Sequence, residues 1–168
     1  KKDSEALRLL KIDALGLTQL SIFERALELI DKPLRFLETV PLDDPAAFAV
    51  LNAGHFAGIF QFTGVAMRSL AGQIKYSGLS DVVATTALAR PGPLATGGAN
   101  AWVKRKAGHE PPTTIHPMLT ELTKETYGVI IFQEQVMRVV REMGGMSWED
   151  TSAIRKAMSG RLGEEFFN

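Results

Sequence analysis

The sequence predicts a mostly α fold with short β-strands, and three observations carry that expectation. Apolar residues recur at three- and four-residue steps through much of the 168-residue chain. Proline and glycine punctuate those stretches at spacings suited to short helices. Three brief apolar runs, at 9–15, 57–62 and 127–132, read as strands.

In the first run, "LLKIDAL", alternation would turn Leu10, Ile12 and Ala14 to one face and Lys11 and Asp13 to the other. A lone pair of this kind is ordinarily an ion pair at a sheet edge. The alternative is a cation and a carboxylate offered together to a phosphate and a metal. In "LTQLSIFERALELIDK", the stripe Leu20, Phe23, Leu27 and Ile30 leaves Arg25 and Glu28 outside it, an amphipathic helix ended by Pro33. "LDDPAAFAVLNAG" is a short helix with Asp43 or Asp44 as cap, Pro45 in its first turn and Gly54 past its end. After the strand candidate "AGIFQF" comes a short helix in "TGVAMRSLAGQIK". The helix "LSDVVATTALA" starts at Ser80 as N-cap, carries Asp81 in its first turn and stops near Arg90 because Pro91 follows.

"RPGPLATGG" reads as a loop, "ANAWVKRKAG" as a short helix stopped by Gly108, and "HEPPTTIHP" as a second loop. "PMLTELTKET" is helical, "YGVIIF" a short strand, and "QEQVMRVVREMGG" a further helix. In "SWEDTSAIRKAMSG", Ser147 and Asp150 form the S-x-x-D variant of a capping box.

Hydrophobic residues make up 45% and charged residues 23%, which excludes a disordered chain. Formal net charge is zero, so nothing in bulk charge favours nucleic acid, although a neutral total can hide a basic face. Cysteine is absent, which excludes a disulfide frame and a cysteine metal site. No apolar run approaches the roughly 18 residues of a membrane span, and no signal-peptide pattern opens the chain. The expectation is a cytoplasmic protein without a membrane partner. The charged opening and the closing Phe166–Phe167 predict a piece of something longer.

Four constellations have chemistry to offer. Arg90 stands before the stiff Pro91–Gly92–Pro93 turn. It is either a cation at the negative end of a helix dipole or a guanidinium set to meet phosphate oxygens in bidentate fashion. Gln133 falls on the apolar stripe of Val136, Val140 and Met143, where an amide without partners costs about 1–3 kcal/mol, so it is read as fixing backbone or supporting a site. Lys104, Arg105 and Lys106 follow Trp102, and Arg155 and Lys156 share a helix face with Ser152 and Ser159. Charge runs ordinarily mark a solvated face, yet hydroxyls beside cations also suit a phosphate backbone. His55, His109 and His116 have no metal-ligand spacing and receive no role.

Eight segments occur in order, "KIDALGL" (11–17), "PLDD" (41–44), "GIFQF" with "AM" (58–67), "ALARPGPL" (87–94), "VKRKAG" (103–108), "HPML" (116–119), "ETYGVIIFQEQVM" (125–137) and "IRKAMSGR" (154–161), within a match that runs from about residue 9 to residue 162. This pattern resembles the C-family replicative DNA polymerases of bacteria and their phages. The resemblance implies the end of the palm at 1–16 and a fingers domain at 17–168. It implies template-directed nucleotidyl transfer by a two-metal mechanism, with Asp13 as a catalytic, Mg2+-binding aspartate and Lys11 and Arg90 on the nucleotide's phosphates. Lys104, Arg105, Arg155 and Lys156 are then the DNA-binding set. Implied partners are primed template DNA, a deoxynucleoside triphosphate, the palm and thumb of the same chain, and a sliding clamp and loader met through other regions.

Three departures mark a divergent member: "FTGVA" (62–66) lacks an acidic and a basic group usual in the family, "SGR" (159–161) replaces Gly-Lys-Lys, and Lys156 stands for one arginine of the usual pair. A two-metal site needs further carboxylates near Asp13, and no second acidic pair with strand spacing occurs, so this piece alone is expected to be inactive. The alternative reading is a non-catalytic helical nucleic-acid-binding module.

Overall fold

The structure, a computed structural model, describes residues 2–10 and 12–160. The chain divides into two compact units, Lys1–Pro41 and Leu42–Asn168.

The first unit contains helix α1 (Lys2–Ala6), helix α2 (Thr18–Leu29) and a single 3-10 turn at Leu34–Glu38. Of the predicted α2 stripe only Leu27 is buried, while Leu20, Phe23 and Ile30 stay exposed. The helix stops before Pro33, at Ile30, and Asp31 follows with a positive φ of 53°.

The second unit holds the core. Helix α3 (Pro45–Asn52) starts as read: the Asp44 carboxylate accepts from the Ala46 N–H at 2.8 Å, and Pro45 occupies the first turn, where its missing N–H costs nothing. Helices α4 (Val65–Ala71) and α5 (Leu79–Leu88) then pack against one another. Phe48 and Leu51 of α3, Met67 and Leu70 of α4, and Leu88 of α5 bury with Phe62, Tyr76 and Trp102 in one cluster. Asn52 pins the link between α4 and α5, accepting from the Tyr76 N–H at 2.7 Å and donating to its carbonyl at 2.9 Å. The Tyr76 hydroxyl in turn donates to Thr85 at 3.2 Å. Helices α6 (Pro91–Ala95) and α7 (Gly98–Lys106) pack together, as do α8 (Pro117–Leu122) and α9 (Gln133–Gly144), and α9 and α10 (Trp148–Gly160).

The fold corrects the predicted short β-strands: no strand occurs among the described residues. In run 9–15 none of the described residues pairs with another strand, and Leu10, Ile12 and Leu15 are all more than 80% exposed. In 57–62, Gly58 and Gln61 take positive φ, and the backbone closes local turns from Ile59 to Phe56 and from Phe62 to Ile59. Phe56, Ile59 and Phe62 reach the core at a spacing of three, which a strand cannot supply. In 127–132, the alternation is present, with Tyr127, Val129 and Ile131 on the core and Ile130 exposed. The hydrogen-bond partner, however, is a side chain: the Gln135 carbonyl oxygen accepts from the N–H groups of Ile131 and Phe132 at 2.8 and 3.0 Å.

Three local expectations also shift. "RPGPLATGG" is not wholly loop, because Pro91 opens the one-turn helix α6. The residue at the start of α5 is Gly78, not Ser80, and Asp81 accepts from Ser77 instead. His116, given no role above, caps α8 by accepting the Met118 N–H at 3.2 Å through Nδ1. At α10 half of the box forms: Ser147 Oγ accepts from the Asp150 N–H at 3.1 Å, while the Asp150 carboxylate accepts from the Ser147 hydroxyl at 2.6 Å in place of its backbone N–H.

Candidate functional site

Arg90 lies between two helices. Helix α5 ends at Leu88, and Pro91 forces the preceding residue out of the helical region, leaving Arg90 extended at φ −122° and ψ 154°. Its carbonyl then accepts from the Leu94 N–H at 3.1 Å, the first bond of α6. The backbone is thus set on both sides while the residue itself remains exposed.

The basic run at the end of α7 is turned inward to different degrees. Exposed Lys104 pairs with Glu110 at 2.8 Å, and that bond holds the Glu110 carboxyl below its usual value. Arg105 donates through Nη2 to the Thr113 hydroxyl at 3.0 Å and through Nη1 to the Tyr127 carbonyl at 3.2 Å, joining α7 to two later segments. Gly128 is required beside it: its φ is +78°, and a Cβ there would lie 3.1 Å from both Arg105 Nη1 and the Thr113 carbonyl oxygen.

Lys106 is buried against Asp81 of α5 at 2.6 Å, with its side chain 12% and that of Asp81 6% exposed. Its ammonium also lies 5.8 Å from the Trp102 ring centre and 5.9 Å from that of Tyr127. Burial pushes the Asp81 carboxyl up, but Lys106 and two donors from Ser77 outweigh it and hold the group below its usual value.

Between α9 and α10 lies a groove of about 270 Å³ walled by Val136, Val140, Ile154 and Met158. Gln133, Thr151 and Arg155 bring polar atoms to this apolar space. Arg155 is half-buried and Lys156, the next residue, is exposed. Gln133 is itself exposed; the buried amide that fixes backbone is Gln135, two residues on. Besides its two accepted bonds, Gln135 donates to Thr126 Oγ1 at 2.7 Å. The sequence signal for it was the second glutamine of "QEQ", set one turn after an apolar run whose backbone needed a partner.

Asp13 is exposed in an irregular segment of the first unit, and Lys11 lies outside the described residues. Among the described residues no strand forms to align the two. Among the described residues no group of three His, Asp or Glu side chains could hold a metal. Asp13 therefore does not make a Mg2+ site with the described residues.

The described residues define a class: a helical module whose chemistry rests in positioned cations and an apolar groove. The chain belongs to the finger domain family of the bacterial DNA polymerase III alpha subunit, whose profile matches residues 19–166. It is 40% identical over 158 residues to the DNA polymerase III subunit alpha of Aquifex aeolicus, covering 92% of this chain and 14% of that protein. The corresponding subunit of Mycobacterium leprae is 40% identical over 161 residues, with 92% and 14% covered. That of Bacillus subtilis is 37% identical over 158 residues, again with 92% and 14% covered. The chain thus spans about one seventh of the length of these relatives.

Proposed function

We propose that this chain acts as the fingers of a cytoplasmic DNA-directed DNA polymerase, covering the incoming nucleotide while the rest of the polypeptide supplies palm and thumb. The observation that carries this reading is Arg90, a guanidinium set by Pro91 at the exposed junction of α5 and α6 within a sequence of this family. Phosphoryl transfer is catalysed chiefly by positioning and by charge that meets the developing negative oxygens. With the backbone already fixed, binding has only the side chain left to order, and its planar fork then meets those oxygens in bidentate fashion.

In this reading Lys11 joins Arg90 on the triphosphate. Arg155 and Lys156 on α10, with Lys104 on α7, meet the DNA backbone, and Arg105 supports that surface by holding residues 113 and 127 in place. Asp13 contributes one carboxylate to a two-magnesium site completed by other parts of the polymerase. Primed template and deoxynucleoside triphosphate are the ligands, and a clamp and loader bind elsewhere. The chain alone does not extend a primer.

Steady-state incorporation by the full-length polymerase tests the assignment. Arg90→Ala raises the nucleotide KM with duplex affinity little changed, and Asp13→Asn abolishes extension with DNA binding kept. Weaker duplex binding with normal nucleotide kinetics in Arg90→Ala would move Arg90 to the template. The competing reading, a non-catalytic nucleic-acid-binding module, requires normal extension in Asp13→Asn. Under either reading, Arg155→Ala with Lys156→Ala reduces the salt dependence of DNA affinity, by a slope of about 0.7–0.9 per lost phosphate contact.

A further inference from the structure

We infer that Asp81 and Lys106 are positioning residues for Arg90, a buried ionic latch that sets where the guanidinium stands. The inference rests on the nucleotide-binding role proposed for Arg90 and adds two residues to it.

The latch joins the first turn of α5 to the last residue of α7 at 2.6 Å. Arg90 follows α5 by two residues and opens α6, which itself packs on α7. One reference element, α7, therefore holds both neighbours of Arg90. Asp81 lies seven residues before Leu88, the end of α5, about 10 Å along the helical rise, and Arg90 follows two residues later, so a small rotation of α5 about its axis carries through to the junction. Leu88 at the far end of α5 is fully buried and transmits that movement as a rigid contact.

The chemistry of the pair argues for registry over plain stability. A buried ion pair is often no more stabilising than apolar residues of the same volume, and its best-attested use is to select one register. Three features here are directional. Asp81 accepts from the Ser77 N–H at 2.7 Å and from its hydroxyl at 2.9 Å, which fixes the carboxylate's rotation. Lys106 has the Trp102 and Tyr127 rings within 6 Å, and those rings meet edge-on at 5.7 Å, so the ammonium has a defined seat. An apolar pair would pack at several rotations of α5; a carboxylate held from Ser77 meets the ammonium at one.

The test uses the full-length polymerase and variants that keep both charges. Asp81→Glu and Lys106→Arg lengthen or reshape the latch, and Ser77→Ala removes one donor from the carboxylate. Single-nucleotide incorporation is measured for each, alone and combined with Arg90→Ala, alongside duplex affinity and the thermal midpoint. Asp81→Glu and Lys106→Arg are expected to raise the nucleotide KM about tenfold and Ser77→Ala about threefold, with kcat and duplex affinity held. None adds to the KM of Arg90→Ala, because the latch acts only through that side chain.

An unchanged KM in the folded latch variants overturns the inference while the role of Arg90 stands. Effects that multiply with Arg90→Ala, or a fall in kcat alone, overturn it too. A normal KM in Arg90→Ala itself removes the nucleotide reading first, and the latch's function with it.

Discussion

Lys104–Arg105–Lys106 at the end of α7 and Arg155–Lys156 within α10 look alike as sequence, adjacent cations on helices a little over two turns or longer. In the structure they part company. Lys106 is largely buried against Asp81 and two aromatic rings, and Arg105 spends its guanidinium on Thr113 and the Tyr127 carbonyl. Arg155 instead lines an open groove and Lys156 faces solvent. Cations of one sequence type thus serve as internal fasteners in one helix and as groove- and solvent-facing groups in another. What a cation does is set by the acceptors the fold brings to it.

Breaking this contrast at the α7 side gives the largest effect. Asp81→Asn leaves the Lys106 charge buried without its partner and lowers unfolding stability by about 3–5 kcal/mol, read by urea denaturation of this chain. The same substitution flattens the acid limb of the stability profile. Because the folded carboxyl sits below its usual value, its contribution is full above about pH 4, the unfolded carboxylate range, and fades as pH falls through the lower folded value. Wild-type chain that keeps the same acid profile as Asp81→Asn would show that the pair carries none of this stability.

A second contrast separates the two glutamines of "QEQ". Gln135→Ala strands the N–H groups of Ile131 and Phe132 and costs about 2 kcal/mol, whereas Gln133→Ala, at an exposed position, changes stability by no more than about 0.5 kcal/mol. Equal midpoints for the two variants would cancel the assignment of Gln135 as the stand-in for a partner strand. The smallest effect is expected at Lys104: its pair with Glu110 is exposed, so Lys104→Ala leaves the denaturation midpoint within measurement error. A clear drop there would mean that the outer end of the α7 run is also a fastener.

Most of the helices were legible in the chain; α1, in the charged opening, and α6, read as a loop, were not. Asp44 before Pro45, Ser147 before Asp150 and the prolines at 91 and 117 all act within a turn of themselves, so local chemistry declares them. The family was legible for a related reason, since eight short segments kept their order and spacing. The strands were misread because a strand is completed by a neighbour, and period-two alternation at 127–132 says nothing about who accepts the hydrogen bonds. Here a glutamine side chain took that place. Asp81 read as an ordinary first-turn acid and Lys106 as one of a solvated run, because their meeting spans 25 positions of sequence.

What the amino-acid order determined by itself is therefore most of the short helices, several of their ends, and the kinship of the chain. Those depend on contacts a few residues apart, whose energies do not wait for the rest of the molecule. Which lysine is buried, which glutamine holds backbone and where Arg90 is anchored were decided only by tertiary structure. Each depends on a partner from a distant segment, and burial multiplies the cost of a charge or amide left without one.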